Sequence, residues 1–108
     1  MCIRDRSLPF HDLTFDLVVC LEGIEHVSAN VGEAFIIEVT RVIRPGGMFF
    51  LSSPHCRMGE HSGNPYHLKE YRPEELVALI EPHFDIVDVI TREVDNLIVS
   101  YFQARRHL

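Results

Sequence analysis

The sequence predicts an α/β fold: a partial sheet of about four strands, the last two an antiparallel hairpin, with two main helices. Three observations predict it. The runs FDLVVCL (Phe15–Leu21) and MFFLSS (Met48–Ser53) are apolar almost throughout, which suits strands covered on both faces, as in parallel sheets. Between them, Phe35, Val39 and Val42 recur at helical spacing, with Ile36 and Ile43 beside them. Near the end, FDIVDVI and LIVSYFQA are separated only by TREVDN, which can turn tightly at Asp95–Asn96.

Taken in order, the chain first turns around Pro9, His11 and Asp12 and then enters the first strand. For the helix that follows, Asn30 is the expected N-cap, with Glu33 three residues on to complete a capping box. Glu33, Glu38, Arg41 and Arg44 fall on its wetter side, and the two arginines suit the negative end of its dipole. The triplet PGG at 45–47 is expected to end the helix, since proline cannot continue it and glycine permits the turn. After MFFLSS, residues 54–71 form a long polar stretch without periodicity, the pattern of a lid or binding segment. Pro73 opens a second, short helix with Glu74 and Glu75 in its first turn; Leu76, Val77, Leu79 and Ile80 give it a buried side, and Pro82 closes it. Arg72 is a weak residue for its N-cap.

The chain has 108 residues, enough for one small domain. Ten basic against sixteen acidic residues leave a net charge of −6, which gives no general attraction to nucleic acid or to an anionic membrane. No apolar run approaches the ~20 residues of a membrane span. The cysteines, Cys2, Cys20 and Cys56, are odd in number and widely spaced. They form neither a disulfide framework nor a zinc pair, and a reducing cytoplasm is the expected location. Cys20 is expected in the core. The opening MCIRDRS resembles translated adapter sequence, so residues 1–7 are expected to be non-native or disordered, with the domain occupying 8–108.

LPFHDLTFDLVVCLEGIEHV followed by EVTRVIRPGGMFFLSSP resembles the second half of a class I S-adenosylmethionine-dependent methyltransferase. The family pattern is a Leu-Pro-Phe turn, a Phe-Asp-hydrophobic strand, an acidic and His-containing corner, and a helix ending in Arg-Val-Leu-Lys-Pro-Gly-Gly. Arg41-Val42-Ile43-Arg44-Pro45-Gly46-Gly47 fills the last motif with conservative changes, and the likeness extends over roughly residues 8–105. The resemblance implies a Rossmann-like, doubly wound sheet whose last strand is inserted antiparallel. The four strands here would be its fourth to seventh. These 108 residues contain no Gly-x-Gly-x-Gly cofactor loop. The chain therefore reads as the C-terminal part of a methyltransferase domain, inactive on its own. The alternative is a non-catalytic half-domain that associates through its exposed sheet edge, the strand Phe15–Leu21.

By the same resemblance, Glu22 and Gly23 would face the methionine part of S-adenosylmethionine, and Leu8, Pro9 and Phe10 would lie near its adenine. Transfer to oxygen is expected, from the cofactor to a small-molecule, glycan or nucleotide-type acceptor. An oxygen nucleophile must lose a proton, and a histidine suits that task. His67 is the first candidate base and His55 the second. If the corner turns into helix at once, Glu22, Glu25 and His26 stand at i, i+3 and i+4 and share a face. With His67 they are a candidate site for a divalent metal, as in methyltransferases acting on small-RNA 2′-hydroxyls or on quinone-precursor phenols. The plainer reading is that the glutamate caps backbone N–H groups and the histidine packs in the turn.

Overall fold

The computed structural model describes residues 9–21, 23–24, 28–56, 70–94 and 97–108. Within them run β1 (Phe15–Leu21), α1 (Ala29–Val42), β2 (Ile43–Cys56), α2 (Pro73–Ile80), β3 (Phe84–Val94) and β4 (Leu97–Arg106). The α/β order and the closing antiparallel hairpin are as the sequence predicts. The opening residues 1–7, most of the polar stretch after β2 and the turn at Asp95–Asn96 lie outside the described residues.

The strands form one mixed sheet in the order β1-β2-β4-β3. β1 and β2 are parallel, and the final strand β4 runs antiparallel between β2 and β3. Both helices pack on the same face. There Phe35, Ile36, Val39 and Val42 of α1 and Leu76 and Ile80 of α2 meet Val18, Phe49, Leu51, Phe84, Phe102 and Ala104, all buried. The strand partners Val18↔Phe49, Phe49↔Ala104 and Leu51↔Phe102 show why: they stand side by side across three strands, so their side chains share one surface. Burying each of the larger side chains contributes about 1.5–3 kcal/mol.

Four expectations need correction. First, β1 is covered on one face only. Leu17, Val19 and Leu21 alternate with the buried Val18 and are each about half exposed, at 51%, 49% and 59%. An all-apolar run signals potential burial on both sides, but the described residues supply helices for just one. Second, the N-cap of α1 is Ser28, not Asn30. Ser28 has extended backbone and its Oγ accepts from Val31 N–H at 3.4 Å. Asn30 already lies inside the first turn, and the cap belongs to the last non-helical residue. Third, the helix stops before PGG. Ile43 is its extended C-cap, and β2 begins there.

The triplet instead makes an excursion inside β2. Phe15 pairs with Ile43 but Leu17 pairs with Met48, so two steps along β1 match five along β2. Gly46 takes a positive φ of 80°. A Cβ on Gly47 would lie 2.8 Å from the Arg44 carbonyl oxygen and 3.1 Å from that of Asp16. Arg44, at the start of the excursion, pairs with Asp16 of β1 at 2.9 Å. Fourth, Cys20 is half-buried beside the core rather than in it.

Candidate functional site at the carboxyl rim of the sheet

Because β1 and β2 are parallel, their carboxyl ends open on the same rim, where ligands bind in open α/β sheets. The residues Leu21 and Ser52 are partners near that rim. Gly23 follows two residues after Leu21 and is half-buried, with Ile24 fully buried next to it. On the neighbouring strand the same rim carries Ser53 and His55. The antiparallel β4 begins here and sets Ser100 opposite Ser53 and Ile98 opposite His55. Alternation places Ser53, His55 and Ser100 on the helix-covered face, in line with Leu51 and Phe102.

Three polar atoms are sealed in this corner. Ser53 Oγ, Ser100 Oγ and His55 Nδ1 are buried and find no hydrogen-bond partner among the described residues. Ser53 and Ser100 are completely buried, whereas His55 as a whole is half-buried. Buried polar groups are almost always satisfied. A rim with orphaned polar atoms therefore fits a polar ligand or water there. The sequence reading missed both serines. The Ser-Ser-Pro-His stretch ending an apolar strand was the available signal, but only the register brings Ser100 to it.

Beneath the rim, Tyr71 anchors the segment that leads into α2. It is 5% exposed. Its hydroxyl lies 2.7 Å from where a Cβ on Gly32 of α1 would be, so only glycine at 32 leaves it room. Burial first, and then the charges of Glu75 and Glu33, push its phenol up from the ordinary value. Arg72 N–H donates to Glu75 Oε1 at 3.1 Å, which supports the start of α2 where the cap residue is poor.

At the other end of β1, about 20 Å away by strand rise, sits Phe10. Arg41 at the end of α1 holds it. The guanidinium takes Glu38 in a two-point grip at 3.0 Å and donates through Nη1 to the Phe10 carbonyl and Asp12, each at 2.8 Å. Together these carboxylates hold the Arg41 proton more firmly than usual. Phe10 also meets Phe15 edge-on, with ring centroids 4.9 Å apart. Pro9 and Phe10 are exposed, and the structure does not bring them to Gly23. Of the other sequence-predicted site residues, Leu8, Glu22, Glu25, His26 and His67 lie outside the described residues. No group of three His, Cys, Asp or Glu that could hold a metal occurs among the described residues.

A sequence profile for a family described as "Methyltransferase domain" matches residues 2–51. A probable S-adenosylmethionine-dependent methyltransferase of Mycolicibacterium smegmatis is 36% identical over 90 residues, 78% of this chain. The chain belongs to the S-adenosylmethionine-dependent methyltransferase family. It spans 34% of that relative's length. Among solved structures, a SAM-dependent methyltransferase from Methanosarcina mazei is similar with a TM-score of 0.79 and 20% identity, covering 95% of this chain and 64% of its own. The 1,6-didemethyltoxoflavin-N1-methyltransferase of Burkholderia thailandensis, solved with 1,6-didemethyltoxoflavin and S-adenosylhomocysteine bound, has a TM-score of 0.76 and 20% identity. That match covers 95% of this chain and 48% of the other. Each of these fold likenesses covers 95% of this chain, so the parallel pair β1–β2 and the antiparallel β4 belong to one shared fold. No helix among the described residues is long and apolar enough to cross a membrane.

Proposed function

We propose that the protein to which this chain belongs transfers the methyl group of S-adenosylmethionine to a hydroxyl oxygen of a small-molecule acceptor, at the rim formed by β1 and β2. The observation that carries this reading is the parallel pair itself, which ends in Gly23 on one strand and in Ser53 and His55 on the next. Glu22 and Gly23 would hold the methionine part of the cofactor. When bound, the cofactor supplies a methyl group on a sulfonium, already activated toward displacement. The chain's residues then align the acceptor in line with the S–CH3 bond. A histidine, His67 or His55, takes the hydroxyl proton as the O–CH3 bond forms and the sulfur keeps the electron pair of the broken bond. Glycan and nucleotide-type hydroxyls belong to the same acceptor class.

The test is transfer of labelled methyl by the full-length protein to paired small acceptors that differ only in carrying a hydroxyl or an amine. Methyl ethers are the expected products. Methylated amines alone would refute oxygen as the acceptor atom, and no transfer to any acceptor would refute the reading altogether. A second reading applies to the 108 residues by themselves, which hold no Gly-x-Gly-x-Gly loop. They would be a non-catalytic, associating half-domain, and the apolar face left open on β1 favours this. Calorimetry with S-adenosylhomocysteine separates the two: micromolar binding by the isolated chain would defeat the half-domain reading.

A further inference from the structure

Ser53 and Ser100 are cross-strand partners on the covered face, so their Cβ atoms stand about 5 Å apart. His55 lies two residues beyond Ser53 on that same face and diagonal to Ser100, within reach of a long side chain. Each of the three offers one buried atom with no partner among the described residues: two hydroxyls and Nδ1 of the imidazole. Three orphaned groups at this spacing match what a single buried water satisfies, since such waters make about three hydrogen bonds.

We propose that Ser53 and Ser100 are positioning residues for His55, joined to its Nδ1 through one buried water that keeps the proton on Nδ1. In this arrangement Nδ1–H donates to the water, and the water donates one hydrogen to each serine oxygen. Nε2 is left with its lone pair free. The imidazole then meets the rim as a base, fixed in tautomer and in ring orientation by the hydrogen bond on its other nitrogen. Without the serines the proton is free to settle on Nε2, and the ring loses its basic face toward the site. This inference rests on His55 as a base in the proposed function, but its test does not require turnover.

The experiment is a nitrogen-15 spectrum of the imidazoles in the 108-residue chain, recorded above the pH where they are charged. The His55 signals are identified as those lost in His55→Gln. Nδ1 is expected to show the protonated-nitrogen signal in the wild type, and Ser53→Ala and Ser100→Ala are each expected to move the tautomer balance several-fold toward Nε2–H. A wild-type His55 that is mainly Nε2–H, or a balance unmoved by both changes, overturns the proposal. A urea denaturation midpoint adds an independent arm. The relay predicts that each alanine lowers the midpoint, whereas serines buried with no partner at all would raise it on removal, and a raised midpoint also overturns the proposal. If the tautomer is as stated but methyl transfer is absent, the proposed function fails and the relay stands.

Discussion

Position 47 admits no side chain. A Cβ there would press on two carbonyl oxygens and on Ile43 Cγ2, the nearest contacts at 2.8 Å and two of the three being backbone. Backbone cannot swing aside as a side-chain tip does. Gly47→Ala is therefore expected to destabilise the chain by about 1–3 kcal/mol, read as a fall in the urea midpoint. A change within a few tenths would contradict the described excursion. Tyr71 gives a second test at this scale. Its phenol is raised, so the folded state holds the proton more tightly than the unfolded chain does. The stability tied to it is complete below the ordinary phenol value near 10 and is lost as pH rises through the folded value. Ultraviolet titration should show a late phenolate step that disappears in Tyr71→Phe; an unchanged titration in that variant would count against the burial. In sequence alone, an aromatic next to a helix start looks the same whether it anchors the chain or lines a pocket. Gly32, which makes room for it, decides for the anchor.

The helices and strands were legible where periodicity was strong and less so at their ends. The second turn of α1 was clear from Phe35, Ile36 and Val39, all now buried. Its start was not, since Ser28 and Asn30 are both good caps and only backbone conformation separates them. The expected consequence is that Ser28→Ala costs about 0.5–1 kcal/mol in thermal or urea unfolding while Asn30→Ala costs less. The reverse order would restore the sequence-based assignment. PGG was misread for a related reason. Proline and glycine mark a departure from helix, but Pro45 sits two residues past the C-cap, inside a strand that departs from its register to accommodate it. The site was legible only in part. Gly23 entered through the family resemblance, and His55 as a candidate base after an apolar run. The serines depend on a pairing between residues 53 and 100, which no local pattern encodes.

For the molecule as a whole, the open side of the sheet dominates the expected solution behaviour. Leu17, Val19 and Leu21 lie on an edge strand among the described residues, and Ile90 and Tyr101 continue the apolar surface across the sheet. An edge strand whose acidic residue, Asp16, stands at its start and is paired with Arg44, beside an uncovered face, favours pairing with a second copy. Sedimentation of the 108-residue chain should show mass that rises with concentration, and Val19→Lys should suppress that rise. A monomer at all concentrations would remove the associating reading. The placement of β4 carries a further consequence. The last of these four strands in sequence order is an inner one, hydrogen-bonded on both sides, to β2 and to β3. Until residues 97–106 have been synthesised, β3 has no place in the sheet, and β2 is joined to it on one side only. The sheet therefore cannot close before β4 is available, and a chain ending before residue 97 should be digested by a protease that spares residues 1–108.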